Sequence, residues 1–400
     1  MKIVFLHTDF LVYWPKRLYY LNTFLNNKGH TLTILEFARE GTNYYFYQDR
    51  NYLDILDWHT LFLGQSMKTL NRNDMKQVLF QKLDSLMPDI IFAGAIAFPS
   101  GALATQYGIK RKVPVVIFDN ARLEDVPRPF YKNILKRLIY KNVSAVFCPA
   151  PSLIPTFSFF GFDKKSLFYG LNVIDNHFFA TRTAGIRQRK ERIEGLPENY
   201  FLGVGRQVAR KNWDTLIRAF SMHLDRNPSS PYHLVLVGDG PENEHLRSIA
   251  NDKVHFYPFH DRDELCGFYA HASAFILPSL YGETWGLVVN EAMSSSLPVL
   301  VSNQCGCAST LVKENLNGWV FDPRETESLA KLITDLSGLP QDVLLEMGQQ
   351  SFRIISDWGL ERFSDGVWHA IVHTMMGSPE RGGPLSRLAS RFWYGRYNVA

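Results

Sequence analysis

Apolar and polar positions along this chain alternate between two kinds of stretch. Short, mainly apolar runs fall at residues 2–6, 31–35, 89–93, 113–118, 145–148 and 167–169. Most are separated by segments long enough for a helix, such as 15–28, which Gly29 closes as a left-handed cap. The rhythm predicts strand, helix, strand, with each strand buried on both faces, and hence a parallel doubly wound sheet. Residues 176–199 break it: 181–192 is polar and charged, and Gly195 and Pro197 follow. The rhythm then restarts, with strands predicted at 200–204, 233–237, 254–257, 274–277, 298–301 and 318–321 and a helix at 213–224. The reading is therefore α/β with two Rossmann-like doubly wound domains facing across a cleft, where open α/β sheets take their ligands. The expected boundaries are an N-terminal domain at 1–175, a linker at 176–199 and a second domain at 200–360. A helix at 361–376 returns to the first domain, and a loosely held tail spans 377–400. Residues 40–60, rich in Tyr and Phe, are expected to be a loop or short helix.

Composition narrows the class without altering this plan. Four hundred residues exceed one ordinary core, which agrees with two domains. A net charge of +4 is too weak for a nucleic-acid binder. The four cysteines show no metal-site spacing and fit a reducing cytoplasm, and the twelve histidines are scattered. Residues 1–7 form too short an apolar run for a secretory signal, and no stretch is long enough to span a membrane. Residues 128–141 repeat basic and apolar positions at helical spacing. That pattern lays a helix on an anionic membrane surface, or equally makes an ordinary surface helix with its apolar side in the core.

Two constellations carry chemistry. The first follows the strand at 200–204, where Gly203 and Gly205 permit a tight turn and Arg206 and Lys211 come directly after. A guanidinium fork and an ammonium together neutralise a diphosphate, although two such cations on a loop also make an ordinary solvated face. Val208 stands where a dinucleotide fingerprint needs its third glycine, so that reading is excluded. The second is Glu283 and Glu291, with Gly282 and Gly286 on either side of Glu283 and an apolar helix starting near Trp285. Fully helical, the two carboxylates would lie about 12 Å apart, too far for the acid and nucleophile of a retaining hydrolase. Separate contacts to one elongated ligand fit better; a Glu in a first helical turn also simply complements the helix dipole.

Taken as an ordered set, Gly205 and Arg206, Lys211 and Asn212, residues 238–241, the Glu283/Glu291 pair, residues 315–323, and 172–175 resemble the family 4 retaining glycosyltransferases of the GT-B fold, the group 1 type. The motifs cover about 170–325; the N-terminal half matches only in its rhythm of strands. The resemblance implies transfer of a sugar, with retention of anomeric configuration, from a nucleotide diphosphate sugar to a glycan or lipid-linked acceptor. It implies no required metal and no other cofactor. The protein would work in the cytoplasm, on the inner face of a membrane if residues 128–141 dock there. By motif position Gly205, Arg206 and Lys211 hold the diphosphate and Glu291 the ribose. Glu283 meets a sugar hydroxyl, backbone N–H groups of Thr284, Trp285, Gly286 and Leu287 meet sugar and phosphate, and Phe259 contacts the base. The chain departs from the family in having no glycine-rich loop after its first strand and in carrying Asp119 and Asn120 where relatives often have His. These two either orient the acceptor hydroxyl or merely turn the chain. A nucleotide-sugar epimerase and a non-catalytic nucleotide-sugar-binding protein remain alternatives on the same plan.

Overall fold

The computed structural model describes residues 1–40, 52–125, 129–377 and 382–396. The chain divides into two compact units, Met1–Val173 with Leu360–Ala400, and Ile174–Gly359.

In unit 1 the strands are β1 (Lys2–His7), β2 (Thr31–Glu36), β3 (Asp57–Thr60), β4 (Ile90–Ala93), β5 (Val115–Phe118), β6 (Ala145–Cys148) and β7 (Leu167–Tyr169). They pair in parallel in the order β3-β2-β1-β4-β5-β6-β7. Alternation along β1 shows why both faces need cover: Val4 and Leu6 enter one apolar cluster, Ile3 and Phe5 the other. Strand β3 falls in the stretch expected to be loop or short helix, and this is a correction. It is an edge strand, partly exposed and polar but for Trp58, which packs on the core, and it is held by its ladder to β2 and by the Thr33 hydroxyl donating to Asp57 at 2.6 Å. Residues 41–51 of that stretch lie outside the described residues.

Unit 2 repeats the plan with β8 (Tyr200–Val204), β9 (His233–Val237), β10 (Val254–Tyr257), β11 (Ala274–Leu277), β12 (Val299–Ser302) and β13 (Gly318–Phe321). Their order is β10-β9-β8-β11-β12-β13, again all parallel. In both sheets the chain moves outward on one side of the first strand and then returns to its other side. Such a reversal opens a crevice at the carboxyl ends of the two central strands, β1 and β4 in unit 1, β8 and β11 in unit 2.

Two further expectations need correcting. Most of the 176–199 stretch is a helix, Asn176–Arg189, whose first turn is capped by the Asp175 carboxylate accepting from the Phe178 N–H at 3.2 Å. It belongs to unit 2, where Phe179, Thr183 and Ile186 are buried and Arg187 donates to the carbonyls of Ala270 and Ser295, each at 2.7 Å. The tail is not loosely held where it is described. Residues Pro384–Phe392 form a helix, the Trp393 ring N–H donates to the Ile96 carbonyl at 2.5 Å, and the Arg396 N–H reaches Ala97 at 2.7 Å. Ser386 and Ser390 are small enough to let this helix close on unit 1. The preceding helix, Leu360–Met376, also lies in unit 1, burying Phe363, Val367, Ala370 and Ile371. Gly366 lets it approach β7 so closely that a Cβ there would lie 2.2 Å from the Tyr169 carbonyl oxygen.

Candidate active site

The carboxyl ends of β8 and β11 bring the two constellations together. After β8 the chain turns through Gly205 (φ +153°) and packs on the loop after β9. The Gly205 N–H donates to Val237, and a Cβ on Gly238 would sit 2.3 Å from the Gly205 oxygen. Gln207, wholly buried, fastens the loops: its side-chain amide donates to the Gly238 carbonyl at 2.6 Å and its N–H to the Asp239 carbonyl at 2.8 Å. Asn212 holds the far side, donating to the carbonyls of Pro278 and Pro323 from a left-handed backbone (φ +61°).

This packing folds Lys211 back over Gly205. Its ammonium lies 3.6 Å from where a Cβ on Gly205 would stand and is ion-paired with the Glu283 carboxylate. The two side chains are only 11% and 15% exposed, so water screens the pair little. Burial pushes the Glu283 carboxyl up, but the Lys211 ammonium, then Arg210 and the Ser279 hydroxyl, outweigh it and hold the group below its ordinary value. Ser279 donates to Glu283 at 3.2 Å, and Arg210 donates to the Gly282 carbonyl at 3.2 Å. Glu283 is thus an anion with fixed partners at neutral pH.

Arg206 differs from Lys211. Among the described residues its half-buried guanidinium has no hydrogen-bond or ion-pair partner, while its carbonyl accepts from the Trp213 ring N–H at 3.1 Å. Beyond Glu283 the backbone turns at Gly286 (φ +102°) into the helix Leu287–Ser294. The carbonyls of Glu283 and Trp285 accept from Gly306 and Cys307. The N–H groups of residues 284–287, by contrast, find no acceptor among the described residues. Four successive free donors at a helix N-terminus make a seat for an anion.

Other expected residues are placed differently. The Trp285 ring is buried, donates to Asn290 at 3.0 Å and packs 5.8 Å from the Trp358 ring, so only its backbone is left to meet a ligand. Glu291 is 2% exposed, and its carboxylate accepts from the Tyr269 hydroxyl at 2.8 Å. Phe259 is exposed at 45%, and its N–H donates to Asp239 at 2.7 Å. In unit 1 the Asp119 carboxylate accepts from the Ala121 N–H at 2.9 Å and the Tyr140 hydroxyl at 3.2 Å. The contact with the Ala121 N–H is one that turns the chain, one of the two roles open for Asp119. Asn120, next to it, is partly exposed. Among the described residues no cluster of three or more His, Cys, Asp or Glu is placed to hold a metal.

Sequence reasoning missed Gln207, Arg210, Ser279 and Tyr269. Gln207 and Arg210 flank the residues that were found, and their proximity was the available signal. Ser279 and Tyr269 gave none, because what makes them matter is contact across the fold.

Residues 186–350 match the family described as "Glycosyl transferases group 1". An uncharacterized glycosyltransferase of Haemophilus influenzae is 28% identical over 188 residues, 46% of this chain and 51% of its own length. Another, from Methanocaldococcus jannaschii, is 30% identical over 172 residues, 42% of this chain and 38% of its own length. The chain thus spans about half or less of these curated relatives. Among solved structures, Anabaena HepE in complex with UDP and glucose superposes with a TM-score of 0.70, covering 93% of this chain and 99% of its own, at 18% identity. The segment 186–350 is thus similar to the group 1 glycosyltransferases, and the two parallel sheets have the GT-B fold of the solved neighbour.

Proposed function

We propose that the protein transfers a sugar from a nucleotide diphosphate sugar to a glycan or lipid-linked acceptor, with retention of configuration. The observation that carries this reading is the pairing state of the cations: Lys211 is matched by Glu283, whereas Arg206 and the N–H groups of 284–287 have no partner among the described residues. A diphosphate brings the missing negative charge. As the sugar departs, charge develops on that diphosphate, and Arg206, Lys211 and the helix N-terminus stabilise it in place of a divalent metal. Glu283, fixed by Lys211 and Ser279, accepts a hydrogen bond from a sugar hydroxyl. Glu291 reaches the ribose while keeping Tyr269, because a carboxylate accepts about four hydrogen bonds. Phe259 lies on the base side. A solved neighbour that carries UDP and glucose on this fold supports the same reading. Asn120 is the acceptor-side residue in unit 1. The working place is the cytoplasmic face of a membrane, reached through the basic helix Phe130–Tyr140.

The test is to incubate the pure protein with UDP-, GDP- and ADP-sugars and follow nucleotide release with and without candidate glycan acceptors. A donor at 100 times its dissociation constant should add about 2.7 kcal/mol of stability in a parallel melting screen. Release that requires an acceptor supports transfer. Conversion of the donor with no nucleotide release would make the protein an epimerase, and stabilisation without turnover a binding protein.

A further inference from the structure

The C-terminal helix Pro384–Phe392 packs with its polarity reversed. Its buried positions are Ser386 and Ser390, at 2% and 1% exposure, while Leu385, Leu388 and Phe392 are 65%, 51% and 70% exposed. Those three recur at i, i+3 and i+7, one apolar stripe along a helix, and here the stripe faces water. The small face is pinned. The Asn142 amide donates to the Ser386 hydroxyl at 2.8 Å and to the Ser390 hydroxyl at 3.0 Å, and Ser386 donates to the Leu138 carbonyl at 2.5 Å. A Cβ on Gly382 would come within 2.9 Å of Asn142. The helix therefore cannot roll its apolar side inward without breaking this seam.

The seam joins it to the helix Phe130–Tyr140, which exposes Phe130, Tyr131 and Ile134 at 76%, 58% and 54%. Residues 130–142 and 382–396 carry four and three Lys or Arg respectively and no Asp or Glu. Two neighbouring helices thus present large apolar side chains among basic ones only. Among the described residues no helix is long and apolar enough to cross a membrane. We infer that Pro384–Phe392 lies against an anionic lipid surface, with Leu385, Leu388 and Phe392 entering the acyl boundary and Arg387 and Arg391 meeting headgroups. Charge decides the occupant: a second copy of this chain would set seven cations against seven, whereas anionic lipid neutralises them and accepts the apolar stripe. This deepens the membrane part of the proposed function and is independent of the sugar-transfer part.

The experiment is cosedimentation of the full chain with vesicles of phosphatidylcholine, with and without a third of phosphatidylglycerol, at low and at physiological salt. The parent protein should partition to the anionic vesicles and not to the neutral ones. L385S/L388S/F392S, which keeps every charge, should lower partitioning at least tenfold, and R387E/R391E should lower it by as much or more. Both variants should melt within a few degrees of the parent, since the replaced side chains are exposed. If the parent binds no anionic vesicle at low salt, the membrane reading itself fails. If the parent binds and the triple serine variant binds equally, the C-terminal helix is not part of the surface. A parent that is dimeric by light scattering, with a monomeric triple variant, would assign the stripe to a second copy and overturn the inference.

Discussion

Removing Lys211 tests whether the centre of unit 2 is a coupled pair. In Lys211→Ala the Glu283 carboxylate stays, 15% exposed, with only Arg210 and Ser279 near it. Breaking a buried pair by deleting one partner costs about 3–5 kcal/mol. Because both side chains keep some contact with water, the lower end applies, about 3 kcal/mol. With a urea slope of about 2 kcal/mol/M, the midpoint of unit 2 should fall by about 1.5 M. Glu283→Ala, which strands the ammonium, should cost a similar amount. Lys211→Met/Glu283→Leu should recover most of it, since an apolar pair of similar volume is often neutral relative to a buried ion pair. The pH dependence fixes the sign. In the parent protein the folded Glu283 carboxyl lies below its unfolded value, so its contribution is complete above the unfolded value and is lost as pH falls through the folded one. In Lys211→Ala burial dominates and the folded value rises, so the deficit of that variant should shrink as pH falls toward 4. Urea unfolding followed by tryptophan fluorescence, fitted as two transitions with that of unit 1 unchanged, reads all of this. Single losses that simply add up in the double variant, within about 0.5 kcal/mol, would refute the coupling.

Arg206→Ala should change stability by less than about 0.5 kcal/mol, because its side chain has no partner among the described residues. It should still weaken nucleoside diphosphate binding at least tenfold by titration calorimetry. Gly238→Ala should cost about 2 kcal/mol or more and remove nucleotide binding, since its Cβ would stand 2.3 Å from the Gly205 oxygen at a φ of +135°; melting and calorimetry read both. In unit 1 burial, then the Glu36 charge, push the Asp9 carboxyl up to about 7. Folding therefore takes up a proton between the unfolded value near 4 and about 7, and unit 1 should lose stability as pH rises across that window, by up to about 1.4 kcal/mol per pH unit. Asp9→Asn should flatten that slope in denaturation series at pH 4.5 to 7.5.

What the sequence could show was set by how locally each feature is encoded. Buried parallel strands are apolar throughout, so their runs stood out; β3 did not, because an edge strand with Asp57 and His59 at its surface needs no such run. Lys211 and Glu283 were legible as chemistry, yet only the fold shows that they pair and that Arg206 stands apart. At Glu291 and Asp119 the sequence was silent on the partners that the fold supplies. Tyr269 in one and Tyr140 in the other, remote in sequence, donate to their carboxylates. The C-terminal helix was invisible for another reason. Periodicity reveals that a helix has an apolar stripe but not which side is buried, and here Asn142 selects the serine side.

The two sheets also separate what the fold provides from what the residues provide. Each reverses strand order beside its first strand and so opens a crevice of the same kind. At the carboxyl end of β1, burial lowers His7 to about 4 and so keeps it neutral, and Arg39 is spent on Glu36. After β8 come Arg206, Arg210 and Lys211, of which Lys211 is paired with Glu283, and among the described residues the N–H groups of 284–287 find no acceptor. On the proposed reading, what would draw an anion to unit 2 is its side chains and not its topology, which is shared. For the same reason a neighbour of equal fold at 18% identity cannot decide the ligand, and the proposed reading rests instead on Arg206, which has no partner among the described residues.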